Sequence, residues 1–221
     1  MFFKDRVDAG IKLAELFAAR GDYFRGWDSV MGIARGGVTV GAEVARVLNL
    51  PFGALCVDDL GFSEGDEFPG TLAVATTSFC NVYSETSGLY GPATTVDVAN
   101  IGTPRFVDFL SELREKELRY NDGRDPFLLK VRKVIVCDDG LVSGRSLQAI
   151  VDTLRQKGAE QVAVGIPVVP GWFGNSEHDF ELVTWRVLKM KNPKTGVFYF
   201  SFEDSADADV VKAVRESALS S

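Results

Sequence analysis

The chain has 221 residues, 46% hydrophobic and 25% charged, and its 24 Lys+Arg against 31 Asp+Glu leave a net charge of −7. That balance excludes a disordered tail, a collagen-like fibre and a low-complexity chain, and it argues against a generic basic nucleic-acid binder. One histidine, His178, and three widely spaced cysteines, Cys56, Cys80 and Cys137, leave little for a histidine triad, a zinc site or a disulfide framework.

In chain order, residues 5–19 place Val7, Ile11, Ala14 and Phe17 or Ala18 on one face at spacings of three and four. This predicts an amphipathic helix that closes near Gly21. Ser29–Ile33 reads as a short buried strand stopping at Ala34-Arg35-Gly36-Gly37, after which Val38, Ala42, Ala45 and Leu48 return to helical spacing. Phe52–Val57 is a second buried strand, so a βαβ unit is expected. From Gly61 to Asn100, Ser, Thr and Gly are frequent, acids cluster at Glu64, Asp66 and Glu67, and Leu72–Ala75 is the one good apolar run. An irregular excursion with short strands is expected there, of the kind that serves as a mobile lid or binding loop. Residues 103–119 read as a solvated surface helix with Phe106, Leu110 and Leu113 inward and Glu112, Arg114, Glu115, Lys116 and Glu117 outward.

Val134–Cys137 is a third apolar strand, and it runs into Asp138-Asp139-Gly140-Leu141-Val142-Ser143-Gly144-Arg145-Ser146. A helix follows, with Leu147, Ile150, Val151 and Leu154 on one stripe and Gly158 placed for a left-handed C-terminal cap. Gln161–Val169 is a fourth strand, and the last 40 residues hold Leu182–Leu188, Val197–Phe200 and a helix with Val210, Val211 and Val214 inward. Strands alternating with helices predict an α/β fold with a mainly parallel sheet flanked by helices, whose ligand sites lie beyond the carboxyl ends of the strands. No linker or repeat interrupts the chain, so residues 1–221 read as a single domain. No apolar stretch of signal-peptide length follows Met1, and nowhere do 18 uncharged apolar residues run together. With reduced thiols, this points to the cytoplasm and to no membrane partner.

The segment 134–146 has the makings of an anion cradle. A strand ends in two acids, and Gly140, Ser143, Gly144 and Ser146 open a helix whose amides and hydroxyls suit a phosphate dianion. The acids repel that phosphate, so they are expected to face hydroxyls, a metal or a developing positive charge on the same ligand. A phosphorylated sugar meets both demands. The spacing is neither Gly-x-x-x-x-Gly-Lys-Ser/Thr nor a hydrolase nucleophile elbow. The bland alternative is a βα turn with solubilising acids and a serine cap.

Four apolar residues, two acids, a spacer and Ser-Gly-x-Ser closely resemble the phosphoribosyl-diphosphate (PRPP) signature of the type I phosphoribosyltransferases. The resemblance implies that Asp138 and Asp139 hold the ribose hydroxyls and that Val142–Ser146 wrap the 5′-phosphate. It also implies a pyrophosphate loop at Ala34, Arg35, Gly36 and Gly37, with a non-proline cis peptide at Ala34–Arg35. The fold it implies is a core over about 25–170, a small hood from 1–24 and 171–221, and a candidate mobile loop at 61–100. The Asp-Arg-x-x-Ala-Gly-x-x-Leu-Ala run at Asp5–Ala14 extends the likeness to a bacterial group of phosphoribosyltransferases of unassigned acceptor.

By that resemblance the chain is a pentosyltransferase that moves 5-phosphoribosyl from PRPP to a nitrogenous acceptor with Mg²⁺, releases pyrophosphate and serves nucleotide metabolism as a homodimer. Asp138, Asp139 and Arg35 carry the catalysis, with Asp138 and Asp139 the metal-holding acids. One departure stands out, because Asp58-Asp59 occupies the place of a basic pair in that group. These two read either as solvated acids or as further metal ligands, and they open the alternative of a non-catalytic PRPP or nucleotide sensor. Val142, where relatives acting on 6-oxopurines carry an aspartate, leans the acceptor away from hypoxanthine and guanine. Cys137 reads as a small core residue and His178 as an exposed loop residue. Trp172, Trp185, Tyr199 and Phe200 read as core or rim packing, with stacking on a ring acceptor the alternative.

Overall fold

A computed structural model describes residues 2–61, 71–77, 79–84, 94–97, 104–126, 131–141, 144–189, 194–203 and 205–218. Helix α1 (Arg6–Ala18) is capped by Asp5, whose carboxylate accepts the Asp8 amide at 2.9 Å, and a short turn α2 (Gly21–Phe24) leads into β1 (Ser29–Ile33). Helix α3 (Gly36–Leu48) ends on Asn49 in the left-handed conformation, φ 51°, and β2 (Phe52–Leu55) completes the βαβ unit. Four strands follow, β3 (Asp58–Gly61), β4 (Thr71–Ala75), β5 (Phe79–Ser84) and β6 (Thr94–Asp97), then α4 (Pro104–Tyr120). Strand β7 (Lys133–Cys137), α5 (Arg145–Gln156), β8 (Gln161–Pro170), the turn α6 (Gly171–Gly174) and β9 (Glu181–Leu188) continue the alternation. A 3₁₀ turn at Thr195–Phe198 and α7 (Asp207–Ala218) follow.

The main sheet has the order β2-β1-β7-β8-β9 and is parallel throughout. Its strands alternate between two cores, as a sheet covered on both faces must. Val30, Ile135, Cys137 and Ala163 pack with α1, α3, α4 and α7, whereas Met31, Val134, Val136, Val164 and Ile166 pack with α5. Helix α1 lies so close to β8 that a methyl on Gly165 would be 2.9 Å from the Phe17 ring and 3.0 Å from Leu13.

Two expectations are corrected. The stripe α1 buries is Ala9, Gly10, Leu13, Ala14 and Phe17, while Val7 and Ile11 are exposed, because the helix presents its smallest residues to α3. In α4, Glu117 is only 4% exposed and Tyr120 is fully buried, so the stripe from Phe106 through Leu113 continues through a charged residue. Val197–Phe200, noted in the sequence only as an apolar run, forms part of the 3₁₀ turn plus a single bridge from Tyr199 to Phe3 that leaves Phe200 74% exposed.

The excursion after Gly61 contains, in its described residues, an antiparallel sheet of order β3-β4-β5-β6. Its strands are short, and Phe79–Ser84 mixes Phe79, Cys80, Val82 and Tyr83 with polar residues without strict alternation, so their pairing left only a weak periodic signal. Thr76 bonds the Thr153 hydroxyl of α5 at 2.9 Å, and Thr77 donates to Glu117 of α4 at 2.8 Å. The acids Glu64, Asp66 and Glu67, and with them much of the expected mobile loop, lie outside the described residues.

Candidate functional site

Strand order fixes where a ligand can enter. From β1 the chain crosses by α3 to β2 on one side, and from β7 it crosses by α5 to β8 on the other, so the connections diverge between β1 and β7. Such a switch point opens a crevice at the carboxyl ends of the two strands. Gly32 is in register with Cys137, which brings the turn after β1 level with the turn after β7.

The two turns are in contact. A methyl on Gly37 would lie 2.5 Å from the Cys137 carbonyl oxygen and 2.7 Å from the Asp138 Cα, and one on Gly36 would lie 2.0 Å from Oδ2 of Asp139. Only glycine permits this approach. The Ala34–Arg35 peptide is cis, as the resemblance implied. Arg35 is exposed at the turn before α3. Its charge reaches Asp207, a carboxyl held below its ordinary range chiefly by the Tyr120 hydroxyl bond and then, against desolvation, by Arg119 and other cations.

In the second turn, the Asp139 amide donates to Oδ1 of Asp138 at 2.9 Å. Burial first, and then the Asp139 charge, push the Asp138 carboxyl well above the usual range. Gly140 faces Thr195 so closely that a methyl would meet its side chain at 2.4 Å. Leu141 is buried in the α5 core, Gly144 takes the left-handed conformation at φ 73°, and Arg145 and Ser146 form the first turn of α5. Val142 and Ser143 lie outside the described residues.

Of four neighbours of the acids, Arg6, Thr195 and Phe202 were not foreseen as site residues, and Tyr199 was foreseen only as packing or as a stacking platform. Nε of Arg6 donates to Oδ2 of Asp139 at 2.7 Å, and its guanidinium carbon stands 3.9 Å over the Phe202 ring. Tyr199 is buried and its hydroxyl donates to the Asp139 carbonyl at 2.7 Å, while Thr195 backs Gly140. Arg6 belongs to the Asp-Arg-x-x-Ala-Gly run, which marked the helix without marking the side chain's target. Nothing in the sequence points to Thr195 or Phe202.

The remaining candidates sit elsewhere. Asp58 and Asp59 are exposed on β3, with Lys116 Nζ 3.8 Å from Asp58. Desolvation and the Asp58 charge raise the Asp59 carboxyl, and Arg145 pulls it the other way. Cys56 and Cys137 are buried free thiols, pushed up in pKa by burial. His178 is not an exposed loop residue: it stacks on Phe180 at 4.6 Å between ring centroids, and its Nε2 is 2.9 Å from the Phe173 carbonyl. Trp185 packs at the Phe3 cluster.

Among the described residues, no group of three or more His, Cys, Asp or Glu side chains gathers to hold a metal. Magnesium needs no such cage, since it takes one or two carboxylates and completes its shell with water and substrate phosphates. Asp138 and Asp139, adjacent at a strand end beside a glycine loop, fit that donor set. No helix among the described residues is long and apolar enough to cross a membrane.

A family model for the phosphoribosyl transferase domain matches residues 5–177. The candidate phosphoribosyl transferases MT0597 and Rv0571c of two Mycobacterium tuberculosis strains are each 30% identical to this chain over 169 residues, 76% of its length. The chain spans 36% of the length of those relatives. The solved structure of TT1426 from Thermus thermophilus superposes with a TM-score of 0.65 at 24% identity, covering 98% of this chain and 99% of that one, a likeness of fold.

Proposed function

The chain belongs to the phosphoribosyl transferase domain family, and from that premise we propose that it transfers the 5-phosphoribosyl group of PRPP to a nitrogenous acceptor in the cytoplasm. The observation that carries this reading is the contact of the Gly36–Gly37 turn with Asp138 and Asp139 at one switch point. A ligand with a diphosphate at one end, ribose hydroxyls in the middle and a 5′-phosphate at the other spans those features in sequence.

In the reaction, the bond from the anomeric carbon to the pyrophosphate oxygen breaks, its electron pair leaves with the pyrophosphate, and a bond to the acceptor nitrogen forms as that nitrogen gives up its proton to the released pyrophosphate or to solvent. The Gly36 and Gly37 amides and Arg35 stabilise the departing charge. Asp138 and Asp139 hold the ribose hydroxyls and offset the positive charge that develops on the ring. The 140–146 turn and the start of α5 bind the 5′-phosphate. Asp138 or Asp139 would hold Mg²⁺, which would supply charge neutralisation for the leaving group.

A second reading, a PRPP or nucleotide sensor without catalysis, is favoured by the exposed Asp58-Asp59 pair where a diphosphate enzyme gains from cations. Titration calorimetry of PRPP with Mg²⁺ tests the donor site. Binding is expected in the wild type and is lost in the Asp138→Asn, Asp139→Asn double variant; no binding to folded wild type would overturn the transfer reading and bring the nucleotide-sensor reading forward. Pyrophosphate release across a panel of nitrogenous bases separates the enzyme from the sensor.

A further inference from the structure

Arg6 reaches the site from α1, outside both glycine turns, and meets them where they touch. Its Nε is 2.7 Å from Oδ2 of Asp139, with the two side chains 12% and 15% exposed. A methyl on Gly36 would lie 2.0 Å from that same carboxylate oxygen and 3.0 Å from Arg6 Nε. A carboxylate therefore lies directly against the loop to which the phosphoribosyl reading assigns pyrophosphate. Left uncompensated, it repels a polyanion.

The guanidinium is held in place by more than the acid. It lies 3.9 Å over the Phe202 ring, and its Nη1 donates to the Glu203 carbonyl at 2.5 Å. A cation fixed in this way needs no reorganisation when an anion arrives. Asp58 and Asp59, exposed beyond β2, add negative charge to the chain there and supply no cation.

We infer that Arg6 is the counter-charge that lets the Gly36–Gly37 turn accept a diphosphate, acting through Asp139 as a positioning residue. The inference rests on the phosphoribosyl-transfer reading, and two titrants keep the two apart: PRPP with Mg²⁺ tests that reading, and inorganic pyrophosphate with Mg²⁺ tests Arg6. Removal of the cation in Arg6→Gln is expected to weaken pyrophosphate about tenfold or more, whereas Arg6→Lys keeps the charge but loses the planar fork stacked on Phe202 and is expected to fall between Arg6→Gln and wild type. The coupling is read in a double-mutant cycle: because Asp139 itself belongs to the binding site, the Arg6→Gln, Asp139→Asn double variant is compared with Asp139→Asn alone and is expected to lie within about threefold of it, a coupling that a purely structural Arg6 would not produce.

Thermal unfolding of each variant establishes that it is folded. Pyrophosphate affinity unchanged in Arg6→Gln, or an equal loss from Arg6→Gln in the Asp139→Asn background, overturns the inference and leaves the phosphoribosyl reading standing if wild type binds PRPP. Pyrophosphate that fails to bind a wild type that does bind PRPP has the same meaning. A folded wild type that binds neither titrant overturns the phosphoribosyl reading itself.

Discussion

Gly37 sets the distance between the two halves of the site. Its would-be methyl meets the Cys137 carbonyl oxygen at 2.5 Å and the Asp138 Cα at 2.7 Å, backbone atoms that no rotamer change can move aside. Gly37→Ala is therefore expected to push the turns apart, at a cost of about 1–3 kcal/mol in stability and at least about tenfold in PRPP affinity. Urea denaturation and calorimetry on the same preparation check both, and unchanged PRPP affinity would mean that the closeness of the turns is immaterial to binding. The two glycine turns were legible from the sequence because each interrupts a strand-to-helix transition. Their contact was not, because it depends on β1 and β7 being neighbours, a pairing across more than a hundred residues with no local periodic signature.

Glu117 and Asn121 do for the sheet edge what a neighbouring strand would do. Strand β2 is an edge strand, and the Asn121 side chain accepts the Ala54 amide at 2.9 Å and donates to the Ala54 carbonyl at 2.8 Å. One turn earlier in α4, Glu117 accepts the Cys56 amide at 2.9 Å, so two residues spaced i, i+4 close an edge that would otherwise hold unpaired backbone groups. Residue type concealed this, since a glutamate in a charged helix reads as solvated although its spacing from Leu113 puts it on the buried face. Burial pushes the Glu117 carboxyl up to about 7, against the opposing bonds from Cys56 and Thr77. The native state then holds a proton that the unfolded chain releases near its ordinary value of 4.5. Its contribution is fully present below that value and is lost as pH rises through about 7, a decline of up to about 3 kcal/mol. Urea midpoints at pH 5 and pH 8 are expected to diverge in wild type and to converge in Glu117→Gln. Equal divergence in both would assign the pH dependence to another group.

At the scale of the whole molecule, the segments flanking the sheet in sequence meet at the acid pair. Phe2 and Phe3 donate to the Phe198 carbonyl at 2.8 and 3.1 Å, and the Phe200 and Ser201 amides donate back to Phe3 and Lys4 at 2.9 Å. Phe3, fully buried, packs on Trp185 and Tyr199 with ring centroids 5.3 and 5.4 Å apart, and this cluster includes Tyr199, whose hydroxyl bonds Asp139 as Arg6 does. The main sheet was readable because buried parallel strands are continuous apolar runs. This closure was not, because its backbone pairing is a single bridge and its partners lie at opposite ends of the numbering. Phe3→Ala opens a cavity beside Tyr199 and Trp185 and is expected to cost about 3–5 kcal/mol. For a chain of this size that lowers Tm by about 10 °C. Scanning calorimetry is expected to give one transition that moves as a whole, because the Phe3 cluster is bonded into the site and through Val168 into β8. A separate early transition, with the sheet melting at the wild-type temperature, would instead make the Phe3 cluster an independent unit, and PRPP binding between the two transitions would then measure how far the acid pair depends on it.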